Sequence, residues 1–238
     1  VGYSFGSKIK NGSAARSGNG GLNELYLGIG YSPFKGFSVG ANIGYLFGTT
    51  TNDTYVYPNS GQTSLFQTVV EVRDYSLQFG VQYGFNVGQK NRITLGASFT
   101  PGKDLAGHAW GVNYDVDSDS KPDTVGYTSL RNKYSMPSTW GFGINYMWNN
   151  SLMTELDVTY APWSDAKYNR IDVEGSDRQK FNNRIKYAFG VQYIPKPRGR
   201  YLQRINYRAG TFYEKSYINV LGNDVKEYGA SLGFGLPT

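Results

Sequence analysis

The sequence predicts an all-β fold, a transmembrane antiparallel up-and-down β-barrel with about ten strands, and three observations predict it. The first is alternation. Phe37, Val39, Ala41, Ile43, Tyr45 and Phe47 are separated by Ser38, Gly40, Asn42, Gly44 and Leu46, and Tyr75 to Phe85 repeats the pattern. Side chains alternate faces with period two, so each stretch is a strand with one greasy face and one small or polar face. The second observation is what occupies the faces. A soluble sheet packs Val, Ile and Leu inward and turns Lys, Glu and Thr to water. Here the polar positions are mostly Gly, Ser, Asn and Gln, and the apolar face is heavy in aromatics. Charged residues are 18% of the 238 and aromatics 16%, with 21 Tyr, which suits an outer face in lipid and an inner face on water or ligand. The third is that the connections alternate long and short, as in barrels with short periplasmic turns and longer extracellular loops.

Ten strands follow in order: Gly2–Ser7, Asn23–Tyr31, Phe37–Gly48, Val70–Phe85, Arg92–Thr100, Ser138–Trp148, Leu152–Trp163, Arg184–Ile194, Gln203–Glu214 and Lys226–Leu236. The short connections are Ser32–Gly36, Asn86–Asn91, Asn149–Ser151 and Pro195–Arg200, all rich in turn formers. The long ones are Lys8–Leu22, Thr49–Gln67, Pro101–Pro137 and Ser164–Asn183, with a smaller one near Asn219–Asp224. On this reading Leu25, Leu27, Ile29 and Tyr31, then Trp140, Phe142, Ile144 and Tyr146, then Tyr228, Leu232 and Phe234 face lipid. Their aromatics form interfacial girdles rather than a ligand box. The chain opens at Val1 inside a strand and stops beside a turn at Thr238, which reads as a single outer-membrane barrel domain over 1–238, incomplete at both ends.

Composition also removes function classes. No apolar run approaches the roughly 18 residues of a spanning helix, and the negative mean hydropathy is expected when only half of each short strand meets lipid. With no cysteine and one histidine, thiolate chemistry is absent and zinc or histidine-based catalysis has little to work with. Neither a nucleophile, base and orienter set nor a phosphate-cradling glycine loop is present, so no enzyme is expected. The +6 net charge is scattered, without a basic run, which points to anionic lipid or lipopolysaccharide rather than nucleic acid.

The stretch Met136-Pro-Ser-Thr-Trp140-Gly-Phe-Gly143-Ile-Asn-Tyr146, with Leu152 to Tyr160 and the following Ala161-Pro-Trp163-Ser164-Asp165, resembles the FadL/TodX family of long-chain fatty acid outer-membrane transporters. Arg184-Ile-Lys-Tyr187-Ala-Phe-Gly190-Val-Gln-Tyr193 is similar to the family's next strand, and Asp224 to Pro237 looks like versions of these barrels found in Bacteroidota. The resemblance implies a 14-stranded monomeric barrel in a Gram-negative outer membrane, plugged by an N-terminal hatch and passing hydrophobic molecules sideways through the wall. It carries no ligand-contact residue onto this sequence.

Two constellations are candidates for chemistry. Alternation turns Glu155 and Asp157 into the lumen from one strand, Arg184 and Lys186 from the next, and Arg204, Asn206 and Arg208 from the one after. They make either an ion-pair ladder that holds the wall or a site in which Arg184, Lys186 or Arg208 meets a carboxylate head group. In the longest loop Asp115, Asp117, Asp119 and Asp123 alternate as calcium ligands do. Ser120 and Gly126 stand where such loops place Gly and Glu, so the alternative is a solvated acidic loop; His108 and Trp110, in the same loop, read as surface residues. The leading function is passive uptake of hydrophobic small molecules such as long-chain fatty acids, with no cofactor required. The alternative is a scaffold or shuttle subunit of a larger outer-membrane secretion or assembly complex, in which other outer-membrane proteins bind the Tyr-rich loops. A third reading is a general diffusion porin.

Overall fold

A computed structural model describes residues 2–116, 122–129, 134–167, 181–196, 198–220 and 223–236. Its strands are β1 (Tyr3–Ile9), β2 (Gly12–Phe34), β3 (Phe37–Pro58), β4 (Thr63–Val87), β5 (Asn91–Thr100), β6 (Lys103–Asp104), β7 (Gly107–Val116), β8 (Pro122–Ser129), β9 (Ser135–Met136), β10 (Thr139–Trp148), β11 (Leu152–Ala161), β12 (Arg184–Tyr193), β13 (Asn206–Val220) and β14 (Asn223–Gly235). The main sheet runs β1-β2-β3-β4-β5-β10-β11-β12-β13-β14, antiparallel at every step, with β7 and β8 added beside β4. The path has ten strands, as expected, but only nine of them, β2 to β5 and β10 to β14, cross the lipid band, and among the described residues the sheet does not close.

One face of the wall is continuous grease. Tyr31 pairs with Val39, Val39 with Val81, Val81 with Ala97, Ala97 with Phe142, Phe142 with Val158, Val158 with Tyr187, Tyr187 with Tyr213 and Tyr213 with Tyr228. Directly opposed residues share a face, so this row crosses nine strands on one side. Ile29 and Leu232 on that side are 76% and 84% exposed, a state that lipid and not water stabilises. Each of the nine strands offers about ten residues to this band, the length a tilted spanning strand needs.

Turns at one end are tight. Asn149 and Asn150 both take positive φ, 51° and 54°, the mirror-image turn that matches strand twist. Phe34 and Phe37 stack across the β2–β3 turn with centroids 4.9 Å apart.

The other end departs from expectation. The segments Lys8–Leu22 and Thr49–Gln67, read from sequence as loops, are mostly strand: β2, β3 and β4 run on past the lipid band. The extension of β4 from Thr63 to Asp74 adds about 40 Å of chain. Pro101–Pro137 likewise contains β6 to β9. The strand β1 pairs with Gly12–Gly18 alone and so belongs to this extracellular sheet rather than to the lipid band. Wall and extension meet along a row in which Leu22, Gly48, Val72 and Gly107 are successive register partners. Gly48 and Gly107 have φ of 149° and 145°, and a Cβ on either would lie within 2.2 Å of a neighbouring carbonyl oxygen. Val72, only 1% exposed, fills the bend between them.

Between β5, which leaves β4 at Phe79, and β7, which joins it at Val72, the edge of β4 has no strand partner. The segment Lys103–Ala106 straps this notch. Lys103 Nζ donates to Asp74 Oδ1 at 2.5 Å and to the Tyr75 carbonyl at 2.9 Å, and lies 3.3 Å from the Tyr75 ring centroid; the Ala106 amide donates to Asp74 Oδ2 at 2.9 Å. Asp74 sits just above the lipid band with its side chain 3% exposed. Burial raises its carboxyl pKa, but the bonds from Ala106, Lys103 and Tyr75 and the Lys103 charge outweigh burial and hold it below the usual value.

Candidate functional site

The inner face forms a trough of about 960 Å³ along the middle of the wall. Its floor is almost bare backbone. Gly40, Gly80, Ser98 and Gly141 are successive partners across β3, β4, β5 and β10, and Gly96 faces Gly143 in the neighbouring row. Packing does not impose these glycines everywhere: a Cβ on Gly96 would meet nothing within 4 Å. The bank opposite is charged, with Glu155 and Asp157 on β11 and Arg184 and Lys186 on β12.

The structure thus brings four of the six lumen candidates together, but the ladder between them is not the one expected. Register explains why. Lys186 stands directly opposite Glu214 on β13, whereas toward β11 it faces Thr159, and Asp157 faces Ala188. Arg184 therefore reaches across β12–β13 and clasps Glu214 with both arms, Nε to Oε1 at 2.6 Å and Nη2 to Oε2 at 3.1 Å. Lys186 Nζ is 3.9 Å from Glu214 Oε2 and 4.9 Å from the centroid of the Phe212 ring. Glu155 accepts from Asn145 Nδ2 at 3.0 Å, and among the described residues neither Glu155 nor Asp157 forms an ion pair.

Arg208 lies on the same face nearer the short turns, its Nε donating to Gln192 Oε1 at 2.7 Å. Arg204 is a correction. It ends a single 3-10 turn, Tyr201–Arg204, and is exposed outside the wall, because β13 begins only at Asn206. Of the calcium candidates, Asp117 and Asp119 lie outside the described residues. Asp115 and Asp123 are backbone partners across β7–β8, and Asp115 Oδ1 accepts from Ser64 Oγ at 3.1 Å. Among the described residues no group of three or more His, Cys, Asp or Glu is placed to hold a metal.

Sequence reasoning missed two inner residues. Glu214 ended its predicted strand, and Phe212 was passed over although it shares parity with Arg208. The Trp163-Ser164 element has a visible role: Trp163 stacks on Tyr217 at 4.3 Å, Phe181 meets both rings edge-on, and Ser164 Oγ donates to Asn183 Oδ1 at 2.7 Å. It staples the extracellular ends of β11, β12 and β13.

A barrel wall with a lipid-facing row, a polar trough and a stapled rim can be compared with known proteins. The BamG family model matches residues 1–238. The chain belongs to the BamG family. Among solved structures, a FadL homologue from Pseudomonas aeruginosa superposes with a TM-score of 0.59 at 16% identity, over 99% of this chain and 65% of that one. The monoaromatic hydrocarbon channel CymD gives 0.54 at 13% identity, over 99% of this chain and 73% of that one. The toluene transporter TbuX of Ralstonia pickettii gives 0.52 at 13% identity, over 90% and 71%. No curated protein sequence matches the chain. At these identities the likeness establishes the fold, which this BamG-family chain shares with outer-membrane channels of the FadL type. Its lipid band places it in the outer membrane of a Gram-negative bacterium.

Proposed function

We propose that this chain forms the wall of a passive conduit for hydrophobic small molecules with an acidic head, long-chain fatty acids among them. The observation that carries the reading is the place of Lys186, an ammonium group beside the Phe212 ring on the bank of a trough whose floor is glycine. Arg184 is already clasped by Glu214 at two points, whereas Lys186 only approaches the same carboxylate at 3.9 Å, so its ammonium can turn to a second carboxylate in the trough. The apolar body of the ligand would lie along the bare floor and the Phe212 ring, at about 0.8 kcal/mol for each methylene taken from water. The structural neighbours described as toluene and hydrocarbon channels support a hydrophobic cargo.

The two edges in the lipid band, β2 beyond Gly18 and β14, carry backbone groups that lipid cannot satisfy. Residues 1–238 therefore act as one barrel domain whose edges pair with further strands, in a closure of the 14-stranded type; the Bacteroidota affinity of Asp224 to Pro237 belongs to the same proposal. Calcium at Asp115 to Asp123 is proposed as an accessory site; a rise in melting temperature on calcium addition would support it, and an unchanged melting temperature would refute it.

The test is oleate uptake by cells that produce the whole protein in place of their own fatty acid channel. Uptake that falls with Lys186→Gln, while that of a matched long-chain alcohol is kept, supports the reading. Uptake no higher than in channel-less cells would refute it. The extracellular sheet, with Tyr57 and Tyr127 exposed, favours a second reading, a subunit of a larger outer-membrane assembly. Stable partners in native purification would support that reading.

A further inference from the structure

The lipid-facing side of β4 does not end at the bilayer. Phe79, Leu77 and Tyr75 lie in the band, and Arg73 and Glu71 continue the same face upward, joined to each other by an ion pair at 2.5 Å. Here β7 joins the sheet. His108 is the register partner of Glu71 and Trp110 that of Val69, so both side chains share the outward face. On β8, Ser129 opposes Trp110 and Tyr127 opposes Val112, again on that face. His108, Trp110, Tyr127 and Ser129 line a cavity of about 270 Å³. Tyr127 is 66% exposed, an aromatic that no packing of the fold requires there.

We infer that this seam binds the sugar headgroup of an outer-leaflet glycolipid, lipopolysaccharide. Its chemistry fits a sugar better than a bare phosphate. Trp110 and Tyr127 offer ring faces whose negative quadrupole attracts the C–H face of a pyranose. His108 and Ser129 line the same cavity, and Glu71, opposite His108 and paired with Arg73, stands at its edge, so planar and hydroxyl groups that donate and accept are at hand for ring hydroxyls. Glu71 beside Arg73 offsets the charge a phosphate would need and adds an acceptor a sugar hydroxyl can use. The position selects the source: the cavity opens on the face that β4 continues upward from Phe79, Leu77 and Tyr75, with His108 opposite Glu71, so a sugar held there can keep its acyl chains on the lipid band. A free saccharide has no use for that band.

The test uses the whole protein purified in detergent, loaded separately with rough lipopolysaccharide and with phosphatidylethanolamine, washed, and weighed by native mass spectrometry. Trp110→Ala and Tyr127→Ala should each reduce retained lipopolysaccharide several-fold and leave phosphatidylethanolamine unchanged, while Phe142→Ala, in the band and far from the seam, should not discriminate between the two. Equal retention by all variants overturns the inference, and so does an equal loss of both lipids, which would mark general belt contact. If Trp110→Ala fails to fold, the exposed Tyr127→Ala variant decides the matter alone. Lipopolysaccharide that is displaced by free core oligosaccharide, with no dependence on acyl chains, would also count against it.

Discussion

Arg184 and Glu214 are joined by a two-point ion pair across β12 and β13, 2.6 and 3.1 Å long, with the Glu214 side chain 12% exposed. The pair locks the register of the two strands at the upper end of the trough. Glu214→Gln should cost about 1–3 kcal/mol, because a partly buried guanidinium then loses its counter-charge. The exchanged pair Arg184→Glu with Glu214→Arg should recover part of that loss. Heat-dependent gel mobility of the folded barrel measures both.

The Asp74–Lys103 strap predicts an acid dependence. Asp74 has a folded-state pKa below its unfolded value, so its contribution is full above the unfolded value and is lost as pH falls through the folded one. Stability should therefore drop below about pH 4, and Asp74→Asn should flatten that drop. Melting temperature against pH, compared for the two proteins, checks it.

The trough floor predicts a separation of folding from passage. A side chain at Gly96 enters open space, so Gly96→Phe should fold normally and reduce oleate uptake. Gly48→Ala should do the opposite. Its Cβ would collide with the Gly21 carbonyl in a backbone with φ of 149°, which should cost at least about 1 kcal/mol and expose the extracellular sheet to protease.

The rim staple predicts local loosening. Trp163→Ala removes a ring stacked on Tyr217 and touching Phe181, and should cost about 1–3 kcal/mol, less than a fully buried tryptophan. Limited proteolysis should then cut first between β11 and β12.

The lipid band was the legible part of this fold. Where one face meets hydrocarbon, alternation is enforced, and Arg92–Thr100 or Arg184–Ile194 fell within a residue of β5 and β12. The extracellular strands were hidden for the same reason. Thr49 to Thr54 are polar on both faces, and Gly12 to Gly21 are small or polar with adjacent Ala14 and Ala15, so no apolar residues alternate and both read as loops. Parity placed Glu155, Asp157, Arg184 and Lys186 on the inner face, but parity does not fix register between strands far apart in sequence. The partnership of Arg184 with Glu214 rather than with β11 came from the pairing of β12 with β13. Phe212 was missed because an aromatic was assumed to face lipid, and Arg204 was misplaced because a polar turn can imitate the start of a strand.

The central claim is that the greasy side of this wall meets lipid and the glycine side meets an open passage, and β5 tests it most directly. The chain has no cysteine of its own, so single cysteines at Thr94, Gly96 and Ser98 and at Leu95, Ala97 and Phe99 can be compared cleanly in cells with a charged maleimide. Labelling at 94, 96 and 98 that oleate slows, with 95, 97 and 99 protected, is the predicted result. Labelling of the opposite set, or of both alike, would contradict it.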